Sequence, residues 1–382
     1  MNEIQNTNDV LSPPFGGTKG GCSIIIAGGG TGGHIFPALA IANAIKRLQP
    51  NVEILFIGAK GKMEMEKIPQ AGYNIKGIDI VGFNRSSLLK NISLPFKLIK
   101  SFFQVKTIIN NFKPNAVIGV GGYSSFPVLR YAQSKNIPTF IHESNSFAGK
   151  SNILLGKKAN KIFVASDGME KFFPANKIIK TGNPVRANIV ESKITKNEAL
   201  NFFKLSADKP VILIVGGSLG AKSINDTIYG KIDELLKKNI QLIWQTGKSF
   251  SEEAQQQMKQ KKDIWIGTFI DKMEYAYAAA DIVVSRAGAM AVAELCIVGK
   301  PVIFVPFPFA AEDHQTLNAT TLVNKNAAIM IANKDVQTKL IDEILNLINQ
   351  PTLQKTLSEH ISKLAITSAD ERIAKEVLQL IK

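Results

Sequence analysis

A short apolar run that leads directly into a glycine loop and then a helical segment occurs twice in this chain. The first copy is Ile26-Ala27-Gly28-Gly29-Gly30-Thr31-Gly32-Gly33-His34, and the second is Ile214-Val215-Gly216-Gly217-Ser218-Leu219-Gly220-Ala221. A strand, a glycine turn and a helix in this order are typical of a Rossmann-like unit built on a parallel sheet. Because one copy lies in each half of the chain, the sequence predicts two such domains.

The remaining pattern favours the same α/β fold class, since short β-rich runs alternate with amphipathic helical stretches. The predicted strands are Ser23–Ala27, Val52–Ile57, Ala116–Gly119, Thr139–Ile141, Lys161–Val164, Val211–Val215, Gln241–Trp244, Ile264–Gly267, Ile282–Ser285 and Val302–Val305. The predicted helices include Pro37–Leu48, Leu94–Asn111, Ala221–Leu236, Ala291–Val298, Glu312–Lys325 and Asp370–Ile381. We therefore expect two Rossmann-like domains that face each other across a cleft.

A segment that contains glycine and proline marks the predicted boundary between these domains. Gly182-Asn183-Pro184 breaks regular structure, so we predict a first domain over residues 22–184 and a second over 185–382. The polar segment 1–21 reads as a disordered leader rather than a secretory signal, because it has no apolar core. The last helix has an apolar stripe and is a candidate for packing back on the first domain.

The chain carries a formal net charge of +15, with 46 Lys and Arg against 31 Asp and Glu. This excess suggests an anionic partner such as a phosphorylated substrate, an acidic membrane surface or nucleic acid, although a diffuse positive surface would give the same number. No helix-turn-helix, zinc or aromatic RNA-reading motif occurs, so nucleic acid is not expected. No apolar run approaches the roughly 18 residues that span a bilayer, which predicts a cytoplasmic protein with peripheral membrane contact.

The glycine loops favour a phosphate-bearing ligand, because exposed N–H groups and a helix N-terminus attract anions. Pro37 is expected in the first turn of the helix that follows the first loop. A nicotinamide cofactor is not expected, because the second strand ends Phe56-Ile57-Gly58-Ala59-Lys60 without the carboxylate that binds ribose. The alternative is a pair of tight turns that only pack helix on strand.

No metal and no cofactor are predicted. There is no Asp-x-Asp pair, and the four histidines are scattered, so a diphosphate has no obvious cation ligands. Negative charge on a departing diphosphate would be met by helix dipoles, loop N–H groups and an arginine.

Seven motifs follow one another between about residue 23 and residue 325: Gly29-Gly30-Thr31-Gly32-Gly33-His34-Ile35-Phe36-Pro37, Gly121-Gly122-Tyr123, His142-Glu143-Ser144-Asn145, Gly182-Asn183-Pro184-Val185-Arg186, Gly216-Gly217-Ser218-Leu219-Gly220-Ala221, Ser285-Arg286-Ala287-Gly288-Ala289 and Asp313-His314-Gln315-Thr316-Leu317-Asn318. In this order they resemble the motifs of the MurG glycosyltransferases. The resemblance implies the GT-B fold and an inverting transfer of N-acetylglucosamine, without an essential metal, from UDP-N-acetylglucosamine to lipid I. The product would be lipid II, made for peptidoglycan on the cytoplasmic face of the bacterial inner membrane. Another GT-B glycolipid glycosyltransferase and a UDP-sugar epimerase remain alternatives.

The resemblance also implies a donor site, mainly in the second domain. Ser218 and Arg186 would hold the diphosphate, Ile270 would border the uracil, and Glu294 would accept hydrogen bonds from the ribose hydroxyls. Gln315 would contact the sugar. Further donor contacts are expected from Thr31, Gly32, Gly33, Asn145, Ala289, Met290, Ala291, Val292 and Ala293.

The acceptor site is expected in the first domain. The attacking hydroxyl must lose its proton, and the candidate bases are His34, where the first loop meets its helix, and Glu143, at a strand end. Acceptor contacts are predicted at Tyr123, His142 and Asn152.

A basic and apolar segment between Lys76 and Lys106 is the predicted membrane face. Its members are Phe83, Leu88, Leu89, Leu94, Phe96, Phe102 and Phe103 with Arg85, Lys90, Lys97 and Lys100. The alternative is an ordinary helix packed on the sheet.

Overall fold

The computed structural model describes residues 21–82, 94–217 and 219–381. These residues form two parallel sheets with helices on both faces, which confirms the predicted α/β fold class. Several predictions lie outside the described residues: the leader up to residue 20, Ser218, and five residues of the predicted membrane face, which are Phe83, Arg85, Leu88, Leu89 and Lys90.

The first sheet has seven strands in the order β3-β2-β1-β4-β5-β6-β7. Its inner strand β1 is buried on both faces, with Ile24, Ile25 and Ile26 fully inaccessible, because helices cover both sides of a parallel sheet. The elements are β1 (Ser23–Ala27), α1 (Gly32–Leu48), β2 (Glu53–Ala59), α2 (Glu64–Gln70), β3 (Asn74–Ile78), α3 (Leu94–Phe112), β4 (Ala116–Gly119), α4 (Ser125–Ser134), β5 (Thr139–Glu143), α5 (Lys150–Gly156), β6 (Lys161–Val164) and β7 (Ile178–Lys180).

The second sheet has six strands in the order β10-β9-β8-β11-β12-β13. It is built from α6 (Ala187–Val190), α7 (Lys196–Phe203), β8 (Val211–Val215), α8 (Lys222–Lys237), β9 (Gln241–Gln245), α9 (Glu252–Lys259), β10 (Ile264–Gly267), α10 (Met273–Ala279), β11 (Ile282–Ser285), α11 (Ala289–Val298), β12 (Val302–Phe304), α12 (His314–Val323) and β13 (Ile329–Met330). Three helices follow: α13 (Val336–Ile348), α14 (Pro351–Ser362) and α15 (Ala369–Leu380). The predicted boundary after residue 184 falls between β7 and α6.

Both sheets reverse their strand order at a central pair, and each glycine loop lies at that point. The first loop follows β1, which pairs with β4, and the second follows β8, which pairs with β11. Open parallel sheets bind ligands at such a switch point, because the loops diverge there and leave a crevice at the carboxyl ends of the strands.

The C-terminal helix α15 packs on α1 of the first domain. Ile373, Ala374 and Val377 lie fully buried in the same apolar cluster as Ile41 and Ile45 of α1. Arg47 and Asp370 form an ion pair between the two helices at 2.8 Å. The last segment of the chain therefore crosses back from the second domain and completes the core of the first.

The predicted strands are all present, with ends within two residues of those expected. Three further strands, β3, β7 and β13, were not predicted, and each lies at the edge of its sheet. Edge strands are short and half-exposed, so their apolar signal is weak. The predicted start of the first helix at Pro37 is wrong: α1 begins at Gly32, and Pro37 lies inside it.

Candidate functional site

The first glycine loop, between β1 and α1, is held from inside the protein by Glu64 of α2. This carboxylate is 1% exposed. Its Oε2 accepts a hydrogen bond from the N–H of Gly30 at 2.8 Å, and its Oε1 accepts one from the N–H of Ala59 at 3.0 Å. A Cβ atom at Gly29 would lie 2.3 Å from the same carboxyl group. One N–H group that the loop was expected to offer to phosphate is therefore already paired with an internal anion.

His34, the third residue of α1, is fixed against this loop. Its Nδ1 lies 3.0 Å from the carbonyl oxygen of Gly29. Because a carbonyl can only accept, Nδ1 carries the proton and Nε2 keeps a lone pair. Burial lowers the pKa of His34 below 6.5, against the opposing effects of the Gly29 carbonyl and the charges of Glu143 and Glu64. The imidazole is therefore neutral near pH 7 and can accept a proton at Nε2.

The loop after β4 lies directly against the first glycine loop. Gly122 has φ +84°, and a Cβ there would lie 2.4 Å from the carbonyl oxygen of Gly29. A Cβ at Gly121 would lie 2.8 Å from Nε2 of His34. The next residue, Tyr123, is 59% exposed. Two glycine turns thus shape the pocket around the His34 ring and leave an exposed aromatic side chain at its edge.

Glu143 ends β5 and organises the loop that follows. Its Oε1 accepts from the backbone and side-chain N–H groups of Asn145 at 3.1 and 3.3 Å. Its Oε2 accepts from the N–H of Gly149 at 3.0 Å and from the side chain of Asn152 at 2.9 Å. The carboxylate is 4% exposed, and both oxygens are occupied by donors of its own loop. This geometry suits a positioning residue better than a proton acceptor.

His142, the residue before it, is fully buried. Burial lowers its pKa to about 4, and neither ring nitrogen has a hydrogen-bond partner among the described residues. His142 is a predicted acceptor contact, yet in this conformation it lies beneath the loop and presents no surface to a ligand. Asn152, another predicted contact, is also buried and is bound to Glu143.

The second glycine loop is connected to the predicted uracil-binding segment by Gln245. The Gln245 side chain donates to the carbonyl oxygen of Gly217 at 3.1 Å and accepts from the N–H of Ile270 at 3.0 Å. A Cβ at Gly220, which has φ +85°, would lie 2.1 Å from the carbonyl oxygen of Thr246. The loop is therefore packed tightly on the end of β9, which places Ile270 next to the loop that contains position 218.

Arg186 and Glu294, predicted to contact different parts of the donor, contact each other. The Nη2 of Arg186 lies 3.1 Å from Oε1 of Glu294, and the hydroxyl of Tyr277 donates to Oε2 at 2.9 Å. Burial and the Glu294 charge raise the pKa of Tyr277, so the hydroxyl keeps its proton. The guanidinium also lies 4.3 Å from the ring centre of Phe36 on α1. Its buried Nε has no partner among the described residues, which leaves a donor for an anion.

The helix α11 begins at Ala289, and within the described part of the chain no side chain caps its N-terminus. Ala289 to Ala293 therefore form its first turns, where the backbone carries a partial positive charge. Gln315 accepts the N–H of Phe307 at 3.0 Å and lies near the start of α12.

Several contacts join the domains across the cleft, among them the contact of Arg186 with Phe36 and two others. The hydroxyl of Ser146 donates to the Asn318 side chain at 3.1 Å, and the ammonium of Lys67 lies 5.5 Å from the ring centre of Phe269. The loops of both domains therefore face a common cleft. Among residues 21–82, 94–217 and 219–381, no three His, Cys, Asp or Glu side chains are grouped so that they could hold a metal ion.

Three residues of the site were not predicted: Glu64, Gln245 and Tyr277. Each acts on a neighbour distant in sequence, and none lies in a recognisable motif. Only Glu64 left a signal, an acidic residue at the start of a short helix after a strand, but this pattern is common on exposed helices.

Both halves of the chain match a family model. Residues 24–164 match the glycosyltransferase family 28 N-terminal domain, and residues 211–377 match the glycosyltransferase family 28 C-terminal domain. The chain belongs to glycosyltransferase family 28. The N-terminal model matches strands of the first sheet, and the C-terminal model matches strands of the second sheet.

Similar proteins indicate which members of family 28 this chain resembles. A Parabacteroides distasonis protein named UDP-N-acetylglucosamine–N-acetylmuramyl-(pentapeptide) pyrophosphoryl-undecaprenol N-acetylglucosamine transferase is 49% identical, over 94% of this chain and 98% of that protein. A Phocaeicola vulgatus protein of the same name is 51% identical, over 94% and 96%. The crystal structure of MurG from Acinetobacter baumannii aligns with a TM-score of 0.70 and 28% identity, over 94% of this chain and 99% of that one. The predicted GT-B fold and the resemblance to MurG glycosyltransferases are confirmed.

Proposed function

We propose that this chain transfers N-acetylglucosamine from UDP-N-acetylglucosamine to the 4-hydroxyl of the muramyl sugar of lipid I, giving lipid II for peptidoglycan synthesis. The observation that carries the proposal is the identity of 49% and 51%, over 94% of the chain, to two proteins named for this transfer. We assign the acceptor to the first domain, residues 22–184, and the donor mainly to the second, residues 185–382.

The proposed reaction is a direct displacement. The muramyl hydroxyl forms a bond to the anomeric carbon while the bond from that carbon to the diphosphate oxygen breaks, which inverts the configuration. The hydroxyl proton passes to Nε2 of His34, which the Gly29 contact keeps in the accepting tautomer. UDP leaves with the electron pair, and the N-terminus of α11 and the remaining donors of Arg186 stabilise its charge.

The test is transfer of labelled N-acetylglucosamine from UDP to a short-chain lipid I analogue. Labelled disaccharide product is expected only when both substrates are present. A UDP-sugar epimerase would instead change UDP-N-acetylglucosamine alone, and another glycolipid glycosyltransferase would prefer a different acceptor. Either of these results would contradict the proposal.

Replacement of Glu294 by alanine is expected to raise the KM for UDP-N-acetylglucosamine at least about 100-fold, with a smaller change in kcat. Two hydrogen bonds to a charged carboxylate are lost, and each contributes about 1.5–3 kcal/mol. Steady-state kinetics with varied donor would measure the change.

Tyr277→Phe is the matched variant for this prediction, because it keeps the carboxylate and removes one of its two protein partners. We expect a rise in donor KM of less than about tenfold. A donor KM in Glu294→Ala close to that of the unaltered protein would contradict the proposed binding of the ribose hydroxyls by Glu294.

We further propose that α3 contacts the cytoplasmic face of an anionic membrane. Phe96, Ile99 and Phe103 are 75%, 57% and 66% exposed, and their spacing places them on one side of the helix. The opposite side of α3 is buried through Val105 and Ile109, so the packing interpretation is confirmed for that side, and the membrane proposal concerns the exposed side alone. No helix in the described part of the chain is long and apolar enough to cross a bilayer.

Lysines flank this apolar face. Lys97 and Lys106 lie on the same helix, whereas Lys100 is paired with Asp79 at 3.0 Å. The Lys100, Lys60 and Gln104 side chains together lower the pKa of Asp79 to about 2, so this carboxylate stays charged and offsets part of the positive charge. Lys97 and Lys106 are therefore the α3 cations that we assign to lipid phosphates.

Phe96→Ser combined with Phe103→Ser is expected to reduce binding to anionic vesicles at least tenfold, because two exposed aromatic rings no longer enter the interface. Vesicle sedimentation at low salt would measure the bound fraction. Phe202→Ser is the control, since Phe202 is an exposed phenylalanine of the second domain. Equal loss in the control, or binding unaffected in the double variant, would argue against α3 as the membrane face.

A further inference from the structure

A cavity of about 540 Å³ lies between the domains, and three predicted donor residues, Ala289, Val292 and Ala293, are part of its lining. The first domain contributes the loops after β5 and β6, including Ser144 and Ser166, and the second contributes α11 and α12. Leu364 and Ile366, on the segment that leads to α15, form part of its wall. Cavities of roughly 300–1,000 Å³ hold small-molecule or peptide ligands in many proteins.

Two buried polar atoms of the cavity lining have no partner among the described residues. They are the Oγ of Ser144 and the Oδ1 of Asn183, on residues that are 6% and 8% exposed. The orientation of Asn183 is fixed, because its amide nitrogen donates to the carbonyl oxygens of Ser144 at 3.1 Å and Ala289 at 3.3 Å. Buried polar atoms are rarely left unpaired, so these two are available to pair with polar groups of a ligand or with ordered water.

The lining also carries an excess of positive charge. Asp167 and three lysines, Lys171, Lys180 and Lys325, line the cavity. Lys180 is paired with Asp167 at 2.6 Å. Neither Lys171 nor Lys325 has a carboxylate within 4.0 Å in the part of the chain that the structure describes. Two uncompensated cations, one from each domain, favour an anionic ligand that spans both.

We propose that this cavity binds the peptide stem of the acceptor, with carboxylates of the stem at Lys171 and Lys325. The inference rests on the proposed function. The stem is joined through a lactyl ether to O3 of the muramyl sugar, and O3 is adjacent to the 4-hydroxyl that attacks. A stem therefore starts beside the reacting atoms. Ser144, next to Glu143, and Ala289, at the start of α11, both line the cavity, so one end of it lies where the loop after β5 meets the first turn of α11.

The test compares two acceptors, a lipid I analogue with the complete peptide stem and one that ends at the lactyl group. In the Lys171→Ala/Lys325→Ala variant, the KM for the complete acceptor is expected to rise about tenfold, because two charge-assisted contacts are lost. The KM for the acceptor without a stem and the KM for the donor are expected to stay within about twofold. Lys177→Ala/Lys334→Ala removes the same charge outside the cavity and is the control.

Thr321→Trp provides a second variant, because the larger side chain would fill the cavity without changing its charge. It is expected to raise the KM for the complete acceptor only. Equal changes of KM for both acceptors in these variants would overturn the stem assignment and leave the proposed transfer intact. A failure of the unaltered protein to glycosylate either acceptor would overturn the proposed function itself.

Discussion

Replacing His34 with alanine is expected to lower kcat about 1,000-fold while the Kd for UDP changes less than threefold. General-base catalysis by a positioned side chain contributes roughly 100-fold to 10,000-fold. The Gly29 contact occupies Nδ1 of His34, so the lone pair on Nε2 remains available to accept the proton. UDP binds to the other domain in our proposal, so its affinity does not depend on the imidazole. Single-turnover kinetics with a lipid I analogue, and calorimetric titration with UDP, would measure the two quantities.

Controls separate a chemical role from a structural one. His360→Ala, on a half-buried histidine of α14 whose Nδ1 contacts the carbonyl oxygen of Asn326, is expected to leave kcat within about twofold. Glu143→Gln is expected to lower kcat less than His34→Ala, because the carboxylate of Glu143 is occupied by its own loop. If Glu143→Gln lowered kcat as much as His34→Ala while the affinity for UDP stayed unchanged, Glu143 would be the base and His34 the positioning residue.

The pH profile gives an independent readout of the same base. Burial lowers the pKa of His34 below its usual 6.5, so the neutral, accepting form predominates at pH 7. We expect kcat/KM to be flat around pH 7 and to fall tenfold per pH unit only below the lowered pKa. The acid limb should be absent from the residual activity of His34→Ala, and its persistence there would assign the titration to another group.

Replacing Glu64 with alanine is expected to lower the free energy of unfolding by about 2–4 kcal/mol. The N–H group of Ala59 would lose its acceptor while remaining inside the protein, which costs about 1–3 kcal/mol, and the loss of the part-buried bond to Gly30 adds about 0.5–1.5 kcal/mol. We also expect kcat to fall at least tenfold, because the same loop presents the Gly29 carbonyl to His34. Urea unfolding followed by circular dichroism would measure the stability.

Glu66→Ala is the matched control for this experiment. It removes an acidic residue from the same helix, but the Glu66 side chain is 66% exposed. We expect a change within about 0.5 kcal/mol. The stability of Glu64→Gln should lie between those of Glu64→Ala and Glu66→Ala. A glutamine oxygen can accept from one N–H group, but the amide nitrogen cannot accept from the other. If Glu64→Ala were as stable as Glu66→Ala, the carboxylate would not support the loop.

The strand–glycine–helix repeat predicted the two domains because its signal is local. Buried central strands such as β1 and β8 are continuous apolar runs, and glycine marks the turn after each. The edge strands β3, β7 and β13 escaped prediction because half-exposed strands lack that run. The start of α1 was misplaced at Pro37 because proline is favoured in a first turn, although Gly32 and Gly33 already have helical conformation here.

The candidate site was only partly predictable. The order of motifs predicted His34, Glu143, Arg186 and Glu294 at one cleft. The structure places His34 and Glu294 on the helices that follow β1 and β11 at the switch points of the two sheets, Glu143 at the end of β5 and Arg186 after β7. Their pairing was not predictable. Arg186 contacts Glu294, and Glu294 contacts Tyr277, although the partners are far apart in sequence. A short sequence motif carries no information about such contacts.

By itself the sequence determined the fold class, the two glycine loops and the residue types at the cleft, since these follow from local patterns of polarity and turn formation. Only the tertiary structure decided which polar groups satisfy one another. Glu64 occupies the first glycine loop, and Gly29 fixes the tautomer of His34. The physical reason is that a buried polar group must find a partner wherever the fold brings one, and that partner is chosen by distance in space rather than along the chain.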